Sequence, residues 1–118
     1  MRNTLIMCTV LLMIAVPCVA KVVVKKGTDY QIDTSKIPAQ MRDNYKLMLE
    51  KCARCHSLDR ILSAIDTGIV QSTAMEFNAK TIHEYGLKML RKKSSHTTKE
   101  DVKKVSDLLI FMVNEQQK

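Results

Sequence analysis

The chain has 118 residues, enough for one domain of ordinary size and no more, and 19 Lys and Arg against 12 Asp and Glu give it a formal charge of +7. That balance favours encounter with acidic protein surfaces or anionic lipid through long-range steering. It does not read as a nucleic-acid interface, because Trp is absent and the three Tyr and two Phe are too scattered to interleave with lysines as a stacking platform.

Residues 1–20 have the order of a secretory signal peptide: Met1-Arg2-Asn3, then an apolar run from Leu5 to Val16 broken only by Thr9, then Pro17-Cys18-Val19-Ala20 as a small-residue cleavage region. The run is shorter than the ~20 apolar residues a spanning helix needs, which argues against an uncleaved anchor. A lipoprotein is disfavoured too, since the bulky Pro17 stands where a small residue should precede an acylated Cys18. Cleavage after Ala20 would discard Cys8, Cys18 and Arg2 and leave a basic, exported or periplasmic chain starting near Lys21. No stable membrane insertion is expected after cleavage.

Residues 21–36, with Val22-Val23-Val24 between lysines and then Gly27-Thr28-Asp29, read as an irregular arm holding at most one short strand. The domain proper is placed at 37–118. From Ile37 the positions Met41, Tyr45, Leu49 and Cys52 recur at helical spacing, with Pro38 tolerable in a first turn, so a first helix runs into the cysteine motif. Ser57 can cap a second helix through Ile61, Leu62 and Ile65 that Gly68 ends. The stretch 69–78 has no clear period. Thr81 with Glu84 forms a capping box for a third helix with Ile82, Tyr85, Met89 and Leu90 on one face, although Gly86 inside it costs about 1 kcal/mol. Thr97 with Glu100 opens a fourth, whose stripe is Val102, Val105, Leu108, Leu109, Met112 and Val113 against a polar face of Lys103, Lys104, Asp107 and Asn114. No alternating run is long enough for a sheet, and the fold class is all-α.

Two cysteines remain after the leader, both in Cys52-Ala53-Arg54-Cys55-His56. Two thiols separated by two residues can reach the two vinyl groups on one edge of a porphyrin, and the adjacent imidazole then meets the iron, which is the pattern of covalent haem attachment. Other chemistries share the spacing. Zinc needs further Cys or His ligands, and His83 and His96 do not stand at finger spacing. A thioredoxin-like pair sits at the start of a helix after a strand, whereas a helix precedes this motif. Free structural thiols are unusual outside the cytoplasm.

The run Cys55-His56-Ser57-Leu58-Asp59-Arg60, with Lys88-Met89 ahead of the last helix, resembles the class I monohaem cytochromes c, small exported electron carriers, over roughly 37–113. The resemblance implies about four helices wrapped around one haem c bound to Cys52 and Cys55. It also implies His56 as one axial ligand, a downstream methionine as the other, and a last helix packed across the first. Among the five methionines beyond the leader, Met41 and Met48 precede the motif and Met112 belongs to the last stripe. Met89 is the choice, Met75 its rival, and His83 the alternative that would give a bis-histidine haem of lower potential. Two family features are missing: no Gly-Pro follows His56 and no Pro follows Met89.

The expected function is therefore single-electron transfer by a monomeric carrier and not an enzymatic reaction. Lys88, Arg91, Lys92 and Lys93, with Arg54 and Arg60, would orient redox partners with acidic surfaces. The competing readings are a haem-based sensor with a weak sixth ligand and a thiol-disulfide oxidoreductase using Cys52 and Cys55.

Overall fold

The computed structural model describes residues 21–118. The leader expected at 1–20 lies outside them. The described chain is mostly helical: α1 (Arg42–Lys51), α2 (Leu58–Thr67), α3 (Ala79–Arg91) and α4 (Lys99–Gln116). None of these helices is long and apolar enough to cross a membrane.

The all-α expectation needs one correction, because two small antiparallel hairpins accompany the helices. β1 (Val23–Lys26) pairs with β2 (Asp29–Ile32), and β3 (Ile69–Val70) with β4 (Met75–Glu76). The arm at 21–36 is thus a hairpin, turning at Gly27-Thr28 with Val23 opposite Ile32. Its strands are too short to show an alternating period. What holds it is tertiary: Val22 and Val23 are buried, and the buried Gln116 amide from α4 both accepts from the Val23 N–H and donates to the Val23 carbonyl, each at 3.0 Å. Gln116 also donates to Asp66 at 2.8 Å, so one side chain joins the hairpin, α2 and α4.

The first helix starts later than its sequence period indicates. Ile37 is buried in an extended segment, and a single 3-10 turn at Ala39–Met41 leads into α1. The stripe that faces inward is Tyr45, Met48 and Cys52, with Met48 fully buried, whereas Leu49 is exposed. α2 follows the expectation closely: Ser57 is its N-cap residue, and Gly68 ends it at φ 71°, a left-handed conformation in which a Cβ would be strained.

Both later capping boxes sit at other residues than expected. Asn78 caps α3, its side chain accepting from the Thr81 N–H at 3.1 Å while Thr81 Oγ1 accepts from the Asn78 N–H at 3.0 Å. Thr98 and Asp101 do the same for α4. In each case another side chain three residues before a polar one meets the same pattern. The polar face of α4 carries the pairs Lys103–Asp107 and Lys104–Glu100, both at 2.7 Å and exposed.

Leu108 and Met112 on α4 are fully buried, and α1, α2 and α3 all pack against this helix. α3 comes closest, at Gly86. A Cβ there would lie 2.7 Å from Val102 Cγ1, a clash that forces a shift, and 3.3 Å from Ser106 Oγ, a tight contact. Glycine normally weakens a helix by about 1 kcal/mol relative to alanine. Here the steric term outweighs it, so Gly86→Ala is expected to lower the unfolding free energy by about 1–3 kcal/mol in urea titrations. The loss should be smaller in a Val102→Ala background, as a double-mutant cycle would show.

Candidate functional site

α1 continues into the cysteine motif by ordinary turn geometry. The Cys52 N–H donates to the Met48 carbonyl at 2.9 Å, and the Cys55 and His56 N–H groups fold back on the Cys52 carbonyl at 3.4 and 3.0 Å. This curl brings Cys52, Cys55 and His56 onto the wall of one cavity of about 540 Å³. The two thiols are free, Cys52 half-buried and Cys55 exposed. Burial pushes the Cys52 thiol above its ordinary value, with a smaller push from the Asp101 carboxylate.

The remaining wall is largely apolar. Ile61, Ala64, Val70, Phe77, Val105 and Leu109 line it, drawn from α2, the second hairpin and α4. α3 contributes Tyr85, Gly86 and Met89, the last half-buried near the C-terminal end of the helix. Met89 therefore borders the same space as the motif, while Met75 is exposed on β4 and is not part of the wall. His83 faces elsewhere: it lines a second groove between α3 and α4 with Leu87 and Leu90. Of the three alternatives for a second axial ligand, only Met89 lies on the cavity.

The donor set and the space fit a haem. The volume is within the roughly 300–1,000 Å³ of small-molecule and cofactor sites, and most of the wall surface is apolar, with hydroxyl and charged side chains such as Thr73, Ser95, Arg60 and Asp101 among the lining residues. Two thiols and an imidazole stand on one side of it in the order that thioether attachment requires. No group of three or more His, Cys, Asp or Glu side chains among the described residues is arranged to hold a bare metal ion. The His56 ring is exposed and makes no hydrogen bond to another described residue.

The rim differs from the expected basic cluster. Arg60 and Lys92 border the cavity, and Lys51 joins them, a residue the sequence reading passed over. Lys88 instead stacks on Tyr85, its ammonium 5.2 Å from the ring centroid. Arg54, Arg91 and Lys93 are exposed and lie off the wall. Other residues missed from sequence are Phe77, in the stretch without a period, and the hydroxyls of Thr73 and Ser95, while Thr97, expected as a helix cap, borders the cavity instead. Thr73 and Tyr85 approach to 3.4 Å between their oxygens, joining the second hairpin to α3.

Asp101 both caps α4 and borders the cavity. The Thr98 N–H, which its carboxylate accepts at 3.0 Å, holds its carboxyl below the usual carboxylate range. A lowered carboxyl stabilises the folded chain above the unfolded-state value of about 3.9 and loses that contribution as pH falls through the folded-state value. Asp101→Asn is thus expected to lie below the parent in stability at neutral pH and to converge on it in acid. Unfolding midpoints from pH 7 down to pH 2 measure this.

No known protein family matches the chain, and no curated protein and no solved structure is significantly similar to it.

Proposed function

We propose that the chain is an exported monohaem cytochrome c that carries single electrons between partner proteins. The observation that supports this best is that one apolar cavity is bordered by both thiols and the imidazole of the Cys52–His56 motif and, from a different helix, by Met89. Local sequence spacing accounts for the first three but not for the fourth.

Haem bound through thioether links would supply an iron that gains and loses one electron. The chain's own residues determine how that is done. Cys52 and Cys55 would hold the ring covalently at the end of α1. His56 would offer a neutral ring nitrogen from the motif wall and Met89 a soft thioether sulfur from α3. With His56 and Met89 both holding the iron, no position would remain for a substrate, so the activity would be electron transfer rather than a transformation. The thioether raises the potential relative to a second imidazole, and apolar walls such as Phe77 and Leu109 act the same way by disfavouring the additional ferric charge. Lys51, Arg60 and Lys92 on the rim would place positive charge beside the exposed part of the site and favour brief encounters with acidic surfaces.

In protein secreted from a host that matures c-type cytochromes, intact mass should increase by one haem. Single replacement of Cys52 or Cys55 by Ala should leave one thioether, and replacement of both should abolish covalent attachment. Met89→Ala should retain the haem mass and lose the weak near-infrared sulfur-to-iron band of the oxidised protein. A colourless product without the mass increase would instead favour thiol chemistry at Cys52 and Cys55, and a haem protein lacking the band in the parent chain would favour the sensor reading.

A further inference from the structure

Met89 sits in the last turn of α3, where helical carbonyls have no partner within the helix. Such a turn frays unless something outside the helix holds it. Backbone N–H groups of Lys92 and Ser95 already meet the Met89 and Lys92 carbonyls, and one side chain of the segment after α3 adds a second hold on both. Ser95 Oγ lies 2.8 Å from the Met89 carbonyl oxygen and 2.8 Å from the Lys92 carbonyl oxygen, and 2.9 Å from Thr97 Oγ1. A serine hydroxyl has one proton and two lone pairs. With that proton directed at the two carbonyls, the Thr97 hydroxyl is the donor to Ser95 Oγ, and all three contacts are satisfied together.

Two further features tie this segment to the site. Lys51, the residue before Cys52, reaches across to donate from Nζ to the His96 carbonyl at 3.3 Å. His96 itself adopts φ 50°, a left-handed backbone uncommon for non-glycine residues though more frequent for His than for most, which turns the chain toward α4. Ser95 and Thr97 both border the cavity that Met89 borders.

We infer that Ser95 is a positioning residue for Met89: its hydroxyl, supported by Thr97, closes the last turn of α3 and holds the methionine sulfur against loss from the haem iron. The inference rests on the reading of Met89 as the second axial ligand. Its size is bounded by the structure, since the Met89 and Lys92 carbonyls each retain a backbone partner, the Lys92 N–H at 3.1 Å and the Ser95 N–H at 3.0 Å, when the hydroxyl is removed. One net hydrogen bond is at stake, worth about a fivefold change in an equilibrium constant.

The test uses the oxidised haem-loaded protein and imidazole as a ligand that competes with the methionine sulfur. Ser95→Ala should bind imidazole about fivefold more tightly than the parent and show a weaker near-infrared sulfur-to-iron band, while Ser95→Thr, which keeps the hydroxyl, should behave like the parent. Thr97→Val, which removes only the supporting donor, should shift imidazole affinity in the same direction by about twofold, and provides the reading if Ser95→Ala fails to fold. A purely structural role would lower the urea midpoint of Ser95→Ala without changing imidazole affinity measured in buffer. That result, with the band present in the parent, overturns the positioning role alone. Absence of the band in the parent, or its survival in Met89→Ala, overturns the ligand assignment and this inference with it.

Discussion

The buried stripe of α4 is the constraint around which the chain is organised. Leu108 and Met112 are fully excluded from water, and no single partner covers them: α1, α2 and α3 each pack on the helix. Apolar area removed from water stabilises at roughly 25 cal/mol per Å², so a long stripe of branched and sulfur-containing side chains recruits every neighbouring apolar face. Gln116 extends the same stripe by polar means, joining the first hairpin and α2 to the C-terminal end of α4. The polar groups there are paired rather than buried bare, and among the described residues no buried side-chain nitrogen or oxygen lacks a partner.

That arrangement also shapes the proposed site. Where Gly86 allows α3 to approach α4 closely, the same stretch of α3 presents Tyr85 and Met89 to the cavity. α1 reaches the other side of the cavity with Met48 and the cysteine motif. The site is therefore a product of helix packing: one wall belongs to a short sequence motif, and the other walls come from segments that meet it only in the folded chain.

Electrostatics at the cavity rim follow the backbone more than the composition. The four cations between Lys88 and Lys93 are close in sequence, yet only Lys92 borders the cavity: Lys88 and Arg91 leave α3 in other directions, and Lys92 and Lys93 lie beyond its end, where the backbone has left the helix. Lys88 is taken by the Tyr85 ring, and Lys51 takes its place at the rim from the end of α1. The cations that border the cavity thus come from α1, α2 and the segment after α3.

Several features were legible in the sequence because they depend on local physics. The spacing Cys52-x-x-Cys55-His56 specifies which groups can act together within one turn. Gly68 ends α2 because left-handed termination is a property of a single residue, whereas Ser57 takes the N-cap position with an extended backbone and makes no side-chain capping bond. The 3.6-residue period of α4 marked its buried face. Met89 was expected at the site from a family resemblance, and the fold places it on the cavity wall, but no periodicity distinguishes it from a core methionine. The two hairpins, the exposure of Leu49 in favour of Met48, the caps at Asn78 and Thr98, and the roles of Gln116, Lys51 and Ser95 were decided by tertiary structure alone. Each depends on a partner far along the chain or on a choice between neighbouring residues of similar propensity. Local sequence ranks such choices almost equally, and packing against α4 separates them.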